Sequence, residues 1–146
     1  MAQLFRRFAF NVAVGHRDDH LRNHGSVLTS TGWRVAPAFD MNPSVDKAEH
    51  VLNIDQADNR PDLELVIGTA GWYRLANSEA VRIVDEVVAV TERWRAAAAQ
   101  AGIARADVEL TAVAFEKADI RNPKDELKTG TFHAMCTQLG IKASDP

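Results

Sequence analysis

The hydrophobic positions at the start of the chain follow a helical period. Apolar side chains recur there at spacings of three and four residues, at Leu4, Phe5, Phe8 and Val12. This pattern predicts an amphipathic helix from about residue 2 to residue 14, and Gly15 ends it. The same period returns after residue 61. It predicts helices over residues 62–75, 78–101, 105–117 and 123–139.

The region between the first helix and residue 62 has a different pattern. Residues 16–24 are densely polar without an apolar period, so we expect a loop. Two short apolar runs, 27–29 and 33–35, flank Ser30-Thr31-Gly32, which predicts a β-hairpin with a three-residue loop. Residues 42–61 contain two prolines and many carboxylates and are expected to form a long surface loop. The predicted fold class is mainly α with a small β-hairpin.

The composition of the chain argues against several classes of function. The chain has 146 residues, a net charge of −3 and one cysteine, Cys136. A single cysteine excludes an internal disulfide and a multi-cysteine zinc site. The acidic balance argues against direct nucleic-acid binding through a basic field. No apolar run approaches the ~20 residues of a membrane helix, and the first residues make a poor signal peptide. We therefore expect a cytoplasmic protein with no membrane contact.

One polar stretch carries a chemical pattern. His16-Arg17-Asp18, with Asn23 five residues after the aspartate, matches the catalytic-loop pattern H-R-D-x-x-x-x-N of protein kinases. In such a loop the carboxylate accepts the proton of the attacking hydroxyl, and the amide oxygen holds a metal ion that bridges phosphates. A second carboxylate, Asp40, follows the predicted hairpin, which could fold it back towards Asn23.

These residues fall within a longer resemblance. The segment Gly15-x-x-Asp18-x-His20-x-Arg22-Asn23, followed by Pro37-Ala38-Phe39-Asp40-x-x-Pro43, resembles HipA-type serine/threonine kinases, the toxin halves of bacterial toxin–antitoxin pairs. The resemblance implies a kinase-like C-terminal lobe over residues 1–118, with residues 119–146 as a C-terminal extension. Within the lobe it implies a catalytic loop at 15–25, a hairpin at 26–36, a metal-binding segment at 36–43 and a helical body at 62–118.

The resemblance also implies roles for individual residues. Asp18 would be the catalytic base, and Asn23 and Asp40 would bind Mg²⁺. His20 and Arg22 would support the loop and the phosphates of ATP, which makes Arg22, Asn23 and Asp40 the cofactor-binding set. The family usually has Asn where this chain has His16.

The sequence departs from a complete kinase in one respect. It contains neither a G-x-G-x-x-G loop nor a V-A-I-K strand, the parts that hold ATP from the N-terminal side. We therefore expect the chain alone to be a catalytic half-site with little or no turnover. The expected partners are an N-terminal lobe or a chain that supplies one, a helix-turn-helix antitoxin, and an unidentified protein substrate.

Two other functions remain open from the residues alone. The chain could be a non-catalytic remnant or binding module that contacts an antitoxin-like partner. The spacing of His16, His20 and His24, with Asp18 and Asp19 between them, could instead indicate a metal-dependent phosphohydrolase if this stretch were helical. Trp33, Trp72 and Trp94 are expected to be core or half-buried anchors.

Overall fold

The computed structural model describes residues 1–116, which form a helical body with one small hairpin. The helices are α1 (Ala2–Ala13), α2 (Leu63–Gly68), α3 (Asn77–Thr91), α4 (Trp94–Gln100) and α5 (Arg105–Glu116). Short 3₁₀ turns occur at Leu21–Asn23 and Ala70–Tyr73. The antiparallel strands β1 (Ser26–Thr29) and β2 (Gly32–Val35) form the hairpin. The predicted fold class, mainly α with a small β-hairpin, is confirmed.

The hydrophobic core lies between α1, α2 and α3. Each helix contributes a buried apolar stripe: Phe5, Ala9 and Val12 from α1, Leu63, Val66 and Ile67 from α2, and Ala80, Ile83, Val84 and Val87 from α3. The ring of Phe5 also meets Tyr73 edge-on, with centroids 5.2 Å apart. Burial of the larger of these side chains, at about 1.5–3 kcal/mol each, fixes α1 against the body and so fixes where the following loop begins.

Two of the predicted helices are interrupted, although the apolar period of the sequence continues through each interruption. The segment 62–75 forms α2 and then a 3₁₀ turn, and the segment 78–101 divides into α3 and α4. A buried threonine precedes each break. The Thr69 hydroxyl donates to the Val66 carbonyl at 2.7 Å, and the Thr91 hydroxyl donates to the Val88 carbonyl at 3.1 Å. Such back-bonding bends helices. The predicted side-chain cap at Asn77 or Ser78 is wrong, because Ala76 occupies the cap position.

The hairpin differs from the prediction in its loop. Thr29 pairs with Gly32, so the loop contains two residues rather than three. Gly32 nevertheless has the expected positive φ of 107°. Leu28 pairs with Trp33 on one face, and both are exposed. The prediction that the tryptophans are core or half-buried anchors is wrong for Trp33, which is 72% exposed, and Trp72, at 55% exposed, lies outside the core. Trp94 is half-buried and stacks on Phe115 at 4.2 Å.

Gly15 joins α1 to the polar loop and also contacts α5. Its φ is +69°, and a Cβ placed there would lie 2.3 Å from the Ala114 carbonyl oxygen. Only glycine therefore permits both this backbone conformation and this close approach. Further along, residues 42–61 contain no helix or strand, as predicted.

Some expectations lie outside the part of the chain that the structure describes. The predicted helix over 123–139 and Cys136 are among them. Within residues 1–116, no helix has both the length and the apolar character needed to cross a membrane.

Candidate functional site

The loop that follows α1 is held by backbone hydrogen bonds to two other segments. The His16 amide donates to the Asn11 carbonyl at 2.9 Å, which turns the chain at the end of α1. Bonds to the long loop come next: the Ser44 amide donates to the Gly15 carbonyl at 2.8 Å, and the Val51 amide donates to the Arg17 carbonyl at 2.9 Å. These backbone hydrogen bonds alone hold residues 15–17 against the 42–61 loop.

Burial alternates around Asp18. Arg17 is fully buried and Asp19 is 2% exposed, whereas the Asp18 side chain is 58% exposed. The two buried neighbours turn the Asp18 carboxylate outward. It lines a cavity of about 340 Å³ together with His16, Asp40, Asn42 and residues 43–47. The structure therefore brings Asp18 and Asp40, two of the predicted site residues, to the same cavity.

Lys47 is the basic side chain nearest to Asp18. Its ammonium group forms an ion pair with the Asp18 carboxylate across the cavity. This hydrogen bond and the positive charge lower the pKa of Asp18 below its ordinary value. Asp18 therefore carries its charge at neutral pH, the state in which a carboxylate can accept a proton.

Asp40 has an uncommon backbone conformation. Its φ is +55°, in the left-handed region, which aspartate adopts more readily than most residues. The exposed carboxylate accepts a hydrogen bond from Nδ2 of Asn42 at 3.2 Å. The backbone conformation and the Asn42 contact together determine how the Asp40 carboxylate enters the cavity.

Asn23 is connected to the cavity through His16. Nδ1 of His16 lies 2.9 Å from the Asn42 carbonyl oxygen. Because a carbonyl can only accept, Nδ1 carries the proton, and in the neutral ring Nε2 is then an acceptor. Nδ2 of Asn23 lies 3.3 Å from that Nε2 and donates to it. This bond directs the amide nitrogen of Asn23 towards His16 and leaves Oδ1 as the atom for another partner.

His20 and Arg22 are not brought into this cavity. Neither lines it, and Arg22 is exposed. Nδ1 of His20 is buried with no hydrogen-bond partner among residues 1–116. The structure thus brings Asp18 and Asp40 to one cavity, which Asn23 adjoins only through its hydrogen bond to His16 and which His20 and Arg22 do not line.

Sequence reasoning missed a buried polar network beneath the loop. Asp19 accepts hydrogen bonds from Nδ2 of Asn11 at 2.9 Å and from Nε2 of His24 at 2.7 Å. The available signal was the doubled aspartate, of which the structure exposes Asp18 and buries Asp19. Because buried carboxylates need partners, Asp19 fixes the loop rather than reacting.

A second buried pair, Arg17 and His50, links the loop to residues 42–61. Nη1 of Arg17 lies 3.3 Å from Nε2 of His50. Burial and the nearby Arg17 charge lower the pKa of His50 to about 4, so its ring is neutral and can accept this bond. Burial also lowers the pKa of Arg17. Nothing in the sequence around residue 50 indicated this contact, because it joins residues 33 positions apart.

The side chains in the cavity suit a hard cation. Mg²⁺ takes oxygen ligands, commonly one or two carboxylates completed by waters and substrate phosphates. Asp18 and Asp40 supply such oxygens in the cavity, whereas Asn23 does not line it and contacts it only through its hydrogen bond to His16. Within residues 1–116, no group of three or more His, Cys, Asp or Glu side chains forms a metal site. The three histidines that suggested a phosphohydrolase do not share a helix face, because residues 16–24 are not an α-helix.

Comparison with protein families matches residues 1–95 to the HipA-like C-terminal domain. The match covers well over half of the 146 residues and includes the loop, the hairpin and α1 to α3. The chain therefore belongs to the HipA-like C-terminal domain family, and its helical fold with one hairpin is consistent with a kinase-like C-terminal lobe. Comparisons with curated proteins and with solved structures find no match.

Proposed function

We propose that this chain is the catalytic half of a serine/threonine protein kinase that transfers phosphate from ATP. The observation that carries the proposal is the meeting of Asp18 and Asp40 in one cavity, with Asn23 oriented through His16. Phosphoryl transfer requires positioned charge rather than a covalent intermediate, so one base and a few oxygen ligands suffice.

In this proposal Asp18 is the base. The substrate hydroxyl oxygen forms a bond to the γ-phosphorus of ATP, the bond from that phosphorus to the bridging oxygen breaks, and ADP leaves. The hydroxyl proton passes to the Asp18 carboxylate. The low pKa of Asp18 keeps this carboxylate ionised before the reaction.

Asn23 and Asp40 are the residues that would hold Mg²⁺, with His16 and Asn42 as their supports. When bound, the ion neutralises phosphate charge. Lys47 currently pairs with Asp18. A substrate hydroxyl that reaches Asp18 has to displace this ammonium group or share the carboxylate with it. Lys47 therefore occupies the Asp18 carboxylate until a substrate hydroxyl binds there.

The decisive experiment measures transfer of labelled phosphate. The chain is mixed with a separately expressed ATP-binding lobe and a serine-containing protein, with the chain alone as a second sample. We expect transfer in the mixture and little or none from the chain alone. Asp18→Asn should abolish transfer, while Asp46→Asn, an exposed acid that lines the same cavity, should preserve it. Parental transfer by the Asp18→Asn chain would overturn the assignment of the base.

A second candidate function is binding without catalysis, as a module for another polypeptide such as an antitoxin. The exposed pair Leu28 and Trp33 on the hairpin favours it, because large apolar side chains in a patch often mark contact surfaces. The two functions predict different results for Trp33→Ser. Loss of partner binding with unaltered nucleotide binding would favour the module, whereas the kinase proposal requires Asp18 and Asp40.

A further inference from the structure

An apolar groove lies between α1, α3 and the segment 37–41, and it shares no lining residue with the Asp18 cavity. Its volume is about 460 Å³, within the usual range for small-molecule sites. The apolar walls are Phe10, Pro37, Ala38, Met41, Val87 and Val90. None of these residues lines the cavity that contains Asp18.

The charges around this groove are unevenly paired. Glu86 lines the groove, and its carboxylate accepts from Arg6 at 2.6 Å and from Arg82 at 2.5 Å. Arg7 also lines the groove, but among the described residues no carboxylate pairs with it. The groove therefore has excess positive charge, and Glu86 is already shared between two other arginines.

Arg7 is itself buried, with 8% of its surface exposed. One guanidinium nitrogen, Nη2, donates to the Ala36 carbonyl. The other, Nη1, is enclosed and has no partner among residues 1–116. Burial removes the water that would otherwise hydrate the guanidinium charge and its unused N–H donor, which is unfavourable. An anionic ligand would replace that lost hydration with an ion pair and a hydrogen bond.

We propose that this groove binds a small amphipathic carboxylate. The apolar body of the ligand lies against Phe10, Met41 and Val87, and its carboxylate pairs with Arg7. Guanidinium and carboxylate match in shape and charge, which favours this head group over a neutral one. Because Nη1 is enclosed, the proposal requires lining side chains such as Gln3 and Met41, which are unbranched, to move aside when the ligand binds. The proposal concerns binding alone and does not depend on phosphoryl transfer.

The test uses decanoate as the probe and decanol as the matched neutral probe, with binding to the full chain measured by calorimetry. We expect decanoate to bind at least about tenfold more tightly than decanol, because only the carboxylate meets the buried charge. Arg7→Met should reduce decanoate binding to the level of decanol. Equal affinity for the two probes, or no saturable binding of decanoate, would overturn the proposal.

Because Arg7 also bonds Ala36, its replacement could disturb folding, and a second variant avoids that problem. Val90 is 68% exposed, so Val90→Asp should leave the fold intact while placing a negative charge in the groove. It should weaken decanoate binding about tenfold. Val113→Asp, at an exposed position on α5 outside the groove, should have no effect. Unaltered decanoate binding by Val90→Asp would contradict the proposed site.

Discussion

Nε2 of His16 lies 3.3 Å from Nδ2 of Asn23 and accepts its hydrogen bond, so the amide oxygen Oδ1 faces away from His16. His16 itself is fixed by its bond to the Asn42 carbonyl, at 2.9 Å. The imidazole therefore connects two segments, the catalytic-type loop and the segment after Asp40.

We predict that His16→Ala weakens Mg²⁺-dependent ATP binding by about 10–100-fold, because supports of ligand residues typically have effects of this size. His16→Asn, which restores the residue usual in the family, should retain binding within a few-fold, since an amide can also donate and accept. Calorimetric titration with Mg-ATP measures both variants, and circular dichroism checks their folding. If both variants lost the same affinity for Mg-ATP, the hydrogen bonds of residue 16 would not be the cause of the loss.

The loop was predictable from its polar pattern, and the structure brings two of the predicted site residues, Asp18 and Asp40, to one cavity, while their chemical roles stay predictions. Asp18, Asn23 and Asp40 occupy fixed positions relative to one hairpin, so the sequence alone indicated them. His50 and Lys47 were not predictable as their partners. Each lies 29 or more positions after its partner in the loop, within the irregular segment 42–61, where no period predicts a contact. The helix breaks at Thr69 and Thr91 were missed because the apolar period continues through them.

Lys47 should control the charge state of Asp18. We predict that Lys47→Met raises the pKa of Asp18 towards its ordinary value, since the hydrogen bond and charge that lower it are removed. Carbon-detected NMR titration of the carboxylates measures this. Asp58, whose pKa is lowered by Arg60, serves as an internal control and should not change.

The sign of the linked stability effect follows from the direction of that shift. Since the pKa of Asp18 is lower in the folded state, its pair with Lys47 stabilises the fold above the unfolded pKa. This contribution is lost as the pH falls through the folded pKa. An unchanged Asp18 titration in Lys47→Met would mean that the ion pair does not form in solution.

His50 should make the fold sensitive to mild acid. Its pKa is about 4 in the folded state, against 6.5 ordinarily, so between these values the unfolded chain binds a proton that the folded chain does not. The free energy of unfolding should therefore fall as the pH decreases from 6.5 to 4, by up to about 3 kcal/mol. Urea unfolding at pH 7 and pH 4.5 measures this, and His50→Gln should remove that part of the loss. An identical pH dependence in His50→Gln would contradict the assignment.

Gly15 should be the least replaceable glycine of the described chain. Gly15→Ala combines a positive φ with a Cβ placed 2.3 Å from the Ala114 carbonyl oxygen, so we predict a destabilisation of more than about 1 kcal/mol. Gly32 also has a positive φ, but a Cβ there would meet open space. Gly32→Ala therefore measures the cost of backbone strain alone, without the steric clash expected at Gly15. Gly68→Ala, in α2 with open space and no positive φ, should be neutral or stabilising. If urea unfolding ranked Gly15→Ala no worse than Gly32→Ala, the contact with α5 would be refuted.

The most direct test of the proposed kinase site is Mg²⁺-dependent ATP binding by the chain, measured by calorimetry with and without the metal. We predict weak binding that requires Mg²⁺ and that Asp40→Asn reduces at least about tenfold, because a carboxylate ligand to the ion is lost. Asp46→Asn removes an equal charge from the same cavity and should preserve binding. Binding that persists without Mg²⁺, or that falls equally in both variants, would contradict the assignment of Asp40.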